Sequence, residues 1–269
     1  MSYRLLVMDI DGTLTNSEKK ITQKTKSLLE RIQQQGITVA LASGRPTPGI
    51  KTVADELELS RYGGFVLSYN GAKIIDCRSN KAVYNSVLPR ELLPEIYNFA
   101  VEHKLGIVTY ENAGAVSGNG VDKYIELEAG INGLQIKEVD NFVRYVDFDV
   151  NKCLMTADGD YLAAIEPVMK EKYGDRLSIF RSEPYFLEVM PQGIDKANSL
   201  KHLLKHLNLT KDEMICCGDG FNDLSMIQFA GLGVAMENAQ QCVKDSADFI
   251  TLSNDNDGVA YVIEKFILS

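Results

Sequence analysis

The chain has 269 residues, a length at which a single hydrophobic core stops growing and a second domain becomes the expectation. Apolar residues at 45% and charged residues at 24% are ordinary globular values, and the net charge of −9 argues against a protein that grips a nucleic-acid backbone. No apolar run is long enough to span a bilayer, and the first, Leu5 to Met8, ends in acid and does not read as a secretory segment. Five cysteines (Cys77, Cys153, Cys216, Cys217, Cys242) are odd in number and lack paired metal spacing, so they read as reduced thiols of a cytoplasmic protein. Adjacent Cys216 and Cys217 lie in an apolar stretch, where small buried hydrophobes are expected.

The first element is Leu5-Leu6-Val7-Met8, an apolar run that predicts a strand buried on both faces. It runs into Asp9-Ile10-Asp11-Gly12-Thr13, whose two acids leave one face of an extended chain before Gly12 lets it turn. Open α/β sheets hold their ligands at such strand ends, although acids there are also common turn chemistry. A helix is expected over 21–35, closed by Gly36, then a strand over 37–42 running into Ser43-Gly44-Arg45-Pro46. Pro46 suits the first turn of a helix to about residue 57. A strand over 65–69 and a tight turn at Asn70-Gly71 complete the alternation of a doubly wound parallel sheet.

From about Tyr84 the rhythm changes. A helix over 91–103, strands over 106–110, 142–146 and 151–156, a helix over 161–172 and extended runs over 177–181 and 185–190 are expected, with a loop over 111–120. The simplest organisation is one α/β core formed by 1–83 and 188–269, interrupted by an α+β module over 84–187. The core alternation then resumes with a helix over 195–207, a strand over 213–217, a helix over 222–229, a strand over 232–235, and helices after 239 and from 258. His202 and His206 are four apart, but Leu200, Leu203, Leu204 and Leu207 define the buried stripe and leave both outside. Asp255-Asn256-Asp257-Gly258 lacks the spacing and closing glutamate of a calcium loop and reads as the cap of the last helix.

Four core segments carry chemistry. Asp9-Ile10-Asp11 ends one strand; Ser43-Gly44 ends another, where backbone N–H groups and a hydroxyl suit an anion but also make good loop chemistry. Lys196 falls in the first turn of a helix, which the helix dipole disfavours, although a lone lysine there usually faces solvent. Asp219 follows an apolar strand and Asp223 opens the next helix, where acids also serve as caps. Each has a plain alternative; the joint pattern does not.

On these segments the sequence resembles the haloacid dehalogenase superfamily, specifically its Cof-type phosphatases with the large cap of subclass IIB. The family's motifs match Asp9-Ile10-Asp11-Gly12-Thr13, Ser43-Gly44-Arg45-Pro46, Lys196 in Asp195-Lys196-Ala197, and Gly218-Asp219-Gly220-Phe221-Asn222-Asp223. Ser68-Tyr69-Asn70-Gly71-Ala72 and Gly231-Leu232-Gly233-Val234-Ala235-Met236 are similar to Cof-type sequences as well. The resemblance implies a Rossmann-like core with the module as a lid that reads the leaving group. It also implies Mg²⁺-dependent hydrolysis of small phosphate monoesters, sugar phosphates foremost.

By the same resemblance Asp9 is the nucleophile and forms an aspartyl-phosphate, while Asp11 is the general acid and base. The Ile10 and Gly44 amides, Ser43, Lys196 and Asn222 form the phosphate cradle. Asp9, Asp219 and the Asp11 backbone carbonyl hold the metal, and Asp223 orients Lys196 or metal-bound water. Arg45 and Glu188 are expected near the substrate, with a structural salt bridge as the alternative for each. Physical chemistry agrees: a carboxylate needs no base to attack phosphorus, Mg²⁺ prefers oxygen ligands, and an acid role for Asp11 requires a raised pKa. The expected partner is a small phosphorylated metabolite, with no nucleic acid, membrane or obligate protein partner. A phosphosugar mutase of the same architecture and a non-catalytic phospho-ligand sensor stay open, although retention of both Asp9 and Asp11 speaks against the sensor.

Overall fold

The structure, a computed structural model, describes residues 3–112 and 114–269, so position 113 of the expected 111–120 loop lies outside it. The chain divides into two compact units, Met1–Tyr84 with Asp195–Ser269, and Asn85–Ile194. In chain order the strands are β1 (Leu5–Met8), β2 (Thr38–Ala42), β3 (Phe65–Ser68), β4 (Lys73–Asp76), β5 (Lys81–Asn85), β6 (Gly106–Glu111) and β7 (Gly114–Ser117). Then come β8 (Gln135–Glu138), β9 (Cys153–Thr156), β10 (Leu177–Glu183), β11 (Phe186–Pro191), β12 (Met214–Gly218), β13 (Leu232–Ala235) and β14 (Phe249–Ile250).

The first unit is built on a sheet ordered β14-β13-β12-β1-β2-β3-β4-β5. Strand β1 is central and parallel to both neighbours, with Met8 opposite Cys217 on one side and Leu41 on the other. Its four residues are fully buried, as its unbroken apolar run requires. The chain builds outward on one side through β2 and β3 and later on the other through β12 and β13, so strand order reverses beside β1. In this topology a crevice opens at the carboxyl ends of the central strands. The β3–β4 pair is antiparallel, an edge that the sequence reading omits.

Local chemistry explains the flanking helices. Thr22 caps the helix Gln23–Gln34 by accepting from the Thr25 amide, and Pro46 precedes the helix Thr47–Glu56. In the helix Lys196–Leu207, Leu200, Leu203 and Leu204 are buried while His202 stacks on Tyr84 and His206 meets Phe65 edge-on. The residues of the calcium-loop mimic do hold the cap position of the last helix, as expected, though without a side-chain hydrogen bond to it. Asp257 stands before the helix Gly258–Phe266, but its carboxylate accepts from the Thr22 and Thr25 hydroxyls.

The second unit carries a sheet ordered β10-β11-β9-β6-β7-β8, antiparallel except for the β7–β8 pair. The expected strand over 142–146 is instead a short helix, Phe142–Tyr145, because the Asn141 side chain accepts from the Arg144 amide and starts a helical turn. The expected loop over 111–120 contains β7, whose Ala115 to Ser117 are buried. The expected return to the core at residue 188 falls within β11, whose pairing with β10 runs to Pro191. No helix among the described residues is long and apolar enough to cross a membrane.

Candidate active site

Asp9 leaves the end of β1 with its amide donating to the Cys217 carbonyl of β12 at 3.0 Å. That pairing aligns the two strand tips, so Asp219, one residue past β12, faces the turn that follows Asp9. Gly12 closes this turn at φ +80°, and a Cβ there would lie 2.3 Å from Asp219 Oδ2. The glycine is therefore required twice, by conformation and by the approach of the second acid. The Thr13 hydroxyl donates to Asp219 Oδ1 at 2.8 Å, and the Ile10 carbonyl, which accepts from Thr15, steadies the turn.

Asp195 caps the helix that Lys196 opens by accepting from the Asn198 amide at 2.8 Å. Spacing alone would send Lys196 to solvent; it is fully buried. Its ammonium donates to Asp9 Oδ1 at 2.7 Å and to Asp223 Oδ1 at 2.5 Å. The other oxygen of Asp223 accepts from the amides of Asp219 and Gly220, each at 2.9 Å. Both Asp223 oxygens are thus engaged, and the residue ties the lysine to the loop that bears Asp219. Burial alone would lower the Lys196 pKa, but Asp223 and Asp9 outweigh it and hold the ammonium above ordinary lysine. Burial, reinforced by the charges of Asp223 and Asp219 against the pull of Lys196, pushes Asp9 up to about 8. Burial also pushes Asp219 up to about 6.

Asp11 departs from expectation. Burial would raise its pKa, but hydrogen bonds from Arg45 and Lys19 outweigh that and hold it below the ordinary value. Arg45 Nε and Nη2 meet its two oxygens at 2.8 and 2.7 Å, and Lys19 Nζ donates at 2.9 Å. Ser43 is buried at the end of β2, where its hydroxyl oxygen accepts from the Arg45 amide and its own proton is left to donate. Gly44 lies against Asn70, whose Oδ1 accepts from Asn222 Nδ2 at 3.1 Å. Asn70 holds a left-handed φ of 52° in the tight turn expected at Asn70-Gly71. Lys19, Thr13 and Asn70 are contributors to which the sequence reading gives no role; Thr13 and Asn70 lie within segments that carry the family resemblance, and Lys19 lies in none. Glu188 stands in the second unit on β11, where its buried carboxylate pairs with buried Lys152 at 3.2 Å.

One oxygen from each of Asp9, Asp219 and Asp223 lies within 4.8 Å of the others. An all-carboxylate set suits a hard divalent cation, and the raised pKa values of Asp9 and Asp219 reflect first their burial and then the neighbouring carboxylates. Asp223 is committed to Lys196 and two amides, which leaves Asp9 and Asp219 as the better ligands.

The fold and this assembly of three acids around a buried lysine define a hydrolase of one recognisable class. The chain belongs to the haloacid dehalogenase-like hydrolases, whose family description matches residues 6–263, and is an enzyme of the phosphatase branch that its motifs resemble. It is similar to a haloacid dehalogenase-like hydrolase from Bacteroides thetaiotaomicron, at 49% identity and a TM-score of 0.94 over 98% of this chain and 99% of that one. TM0651 from Thermotoga maritima is 28% identical with a TM-score of 0.87, covering 98% and 97%. The 5-amino-6-(5-phospho-D-ribitylamino)uracil phosphatase YcsE of Bacillus subtilis is 29% identical, over 100% of this chain and 97% of its own.

Proposed function

We propose that this chain hydrolyses small phosphate monoesters, sugar and polyol phosphates foremost, through an aspartyl-phosphate on Asp9. The observation that carries the reading is Lys196, buried and held between Asp9 and Asp223 beside Asp219. A fully buried lysine is costly unless its charge is paired, and here the pairing with Asp9 and Asp223 holds the ammonium beside the oxygen that would meet a phosphoryl group. In the first step an Asp9 oxygen attacks phosphorus and the bond to the ester oxygen breaks, with Asp11 giving its proton to the leaving alkoxide. In the second step water attacks the same phosphorus, its proton goes to Asp11, and inorganic phosphate leaves as Asp9 is restored.

With Arg45 and Lys19 in place Asp11 is ionised, which suits the second step; the first needs a proton taken up before attack. The Ile10 and Gly44 amides, the Ser43 hydroxyl, Lys196 and Asn222 are assigned to the phosphoryl oxygens. Mg²⁺ would be held by Asp9, Asp219 and the Asp11 carbonyl. When bound it would offset the crowded carboxylates and favour the ionised form of Asp9. The second unit is assigned to recognition of the leaving group, and the ribityl phosphate in the name of the YcsE relative supports a polyol or sugar ester.

The test compares wild type with Asp9→Asn on p-nitrophenyl phosphate and on a panel of hexose, pentose and polyol phosphates, with and without Mg²⁺. Release of inorganic phosphate that needs both Asp9 and the metal is expected, with sugar or polyol esters preferred over nucleotides. Equal rates in all samples would overturn the enzyme reading, and isomerised phosphosugar without free phosphate would make it a mutase.

A further inference from the structure

We propose that Arg45 is a positioning residue, which fixes the carboxylate of Asp11 and does not itself bind the phosphoryl group; this rests on the acid–base reading of Asp11. The Asp11 side chain is 37% exposed, at a turn just beyond β1, where a short carboxylate has room to change rotamer. Arg45 removes that freedom with two parallel hydrogen bonds, Nε to Oδ2 at 2.8 Å and Nη2 to Oδ1 at 2.7 Å. Such a fork matches both oxygens and so sets the plane of the carboxylate as well as its place.

The guanidinium is itself held. Arg45 Nη1 donates to the Gly49 carbonyl at 3.2 Å, the Arg45 amide donates to Ser43 Oγ at 3.2 Å, and the Arg45 carbonyl accepts from the Tyr69 amide at 3.0 Å. Three edges of its donor fork are therefore committed to Asp11 and Gly49. Lys19 also reaches Asp11, but its side chain is 65% exposed and makes a single contact, so it adds charge without fixing orientation. The loop after β2 thus serves two purposes: Ser43 and Gly44 are assigned to the phosphoryl group, and Arg45, the next residue, holds the acid–base group in the turn beyond β1.

Loss of the fork lets Asp11 drift, and a misplacement of about 1 Å costs roughly 10²-fold in rate. The experiment measures kcat and KM of Arg45→Met, Arg45→Lys and Lys19→Ala with Mg²⁺. The two substrates are an alkyl ester, glucose 6-phosphate, and p-nitrophenyl phosphate, whose leaving group needs little protonation. Arg45→Met should lower kcat on the alkyl ester by about 10²-fold with KM nearly unchanged, and lower it less on p-nitrophenyl phosphate. Arg45→Lys, a point charge without the fork, should recover little, added guanidinium should restore part, and Lys19→Ala should cost clearly less than Arg45→Met. In an Asp11→Asn background Arg45→Met should cause no further loss. A rise in KM at constant kcat, equal losses on both esters, or losses that multiply with Asp11→Asn would overturn the proposal. Arg45→Lys supplies the same discrimination if Arg45→Met does not fold. Failure of the underlying mechanism reads out separately, as Asp9→Asn with undiminished activity.

Discussion

Replacing Lys196 by methionine keeps most of its volume and removes the one buried cation between Asp9 and Asp223. Asp223 retains its two backbone donors, so the penalty falls mainly on Asp9. Removing one partner of a buried ion pair costs about 3–5 kcal/mol, because the remaining charge is stranded away from water. Proton uptake relieves that penalty, which gives the prediction its sign. With Lys196 present the folded Asp9 pKa is already about 8 against an ordinary 3.8. The folded state therefore binds a proton that the unfolded state has lost between those values, and the Asp9 contribution to stability falls as pH rises from about 4 to about 8. Without Lys196 an attraction for the anion is gone, so this window extends upward. Urea unfolding in metal-free buffer should show a deficit that is nearly the same at pH 5 and pH 7, where Asp9 keeps its proton in both proteins, and that grows above pH 8 as the wild type gives the proton up, by about 2–3 kcal/mol at pH 10. Equal deficits at pH 5 and pH 10 would refute the charge argument.

Gly12→Ala should weaken Mg²⁺ binding about 10-fold or more by pushing Asp219 from its place, measured by isothermal titration; an unchanged affinity would remove Asp219 from the ligand set. Mg²⁺ should raise the melting temperature more at pH 8 than at pH 5, since protons on Asp9 and Asp219, with pKa values of about 8 and 6, compete with the cation below those values. A larger gain at pH 5 would contradict that competition.

The core was legible because each central strand is an apolar run that ends in its own polar residues, so hydrophobic pattern and motif point to the same place. Lys196 was legible as a motif but not as a buried group, since its surroundings come from Asp9 and Asp223, far away in sequence. Two local readings failed for identifiable reasons. Phe142-Val143-Arg144-Tyr145-Val146 has strand-like composition, but one side-chain hydrogen bond from Asn141 turns it into a helix. β7, rich in small residues, is a strand because β6 and β8 pair with it on both sides. The state of Asp11 was likewise out of reach, because it is set by Arg45, whose guanidinium is aimed by contacts that tertiary structure creates.

The placement of β1 at the centre of its sheet bears on how the protein is made. One of its edges is covered by β2 once about forty residues have been synthesised, but the other waits for Met214–Gly218. Through most of translation, then, a wholly apolar strand presents a row of unpaired amides and carbonyls, a template for mispairing with another chain. Lys196, Asp219 and Asp223 emerge on the same late schedule. A nascent chain that stops short of them has the first acid of its chemistry in place and nothing to neutralise or complete it.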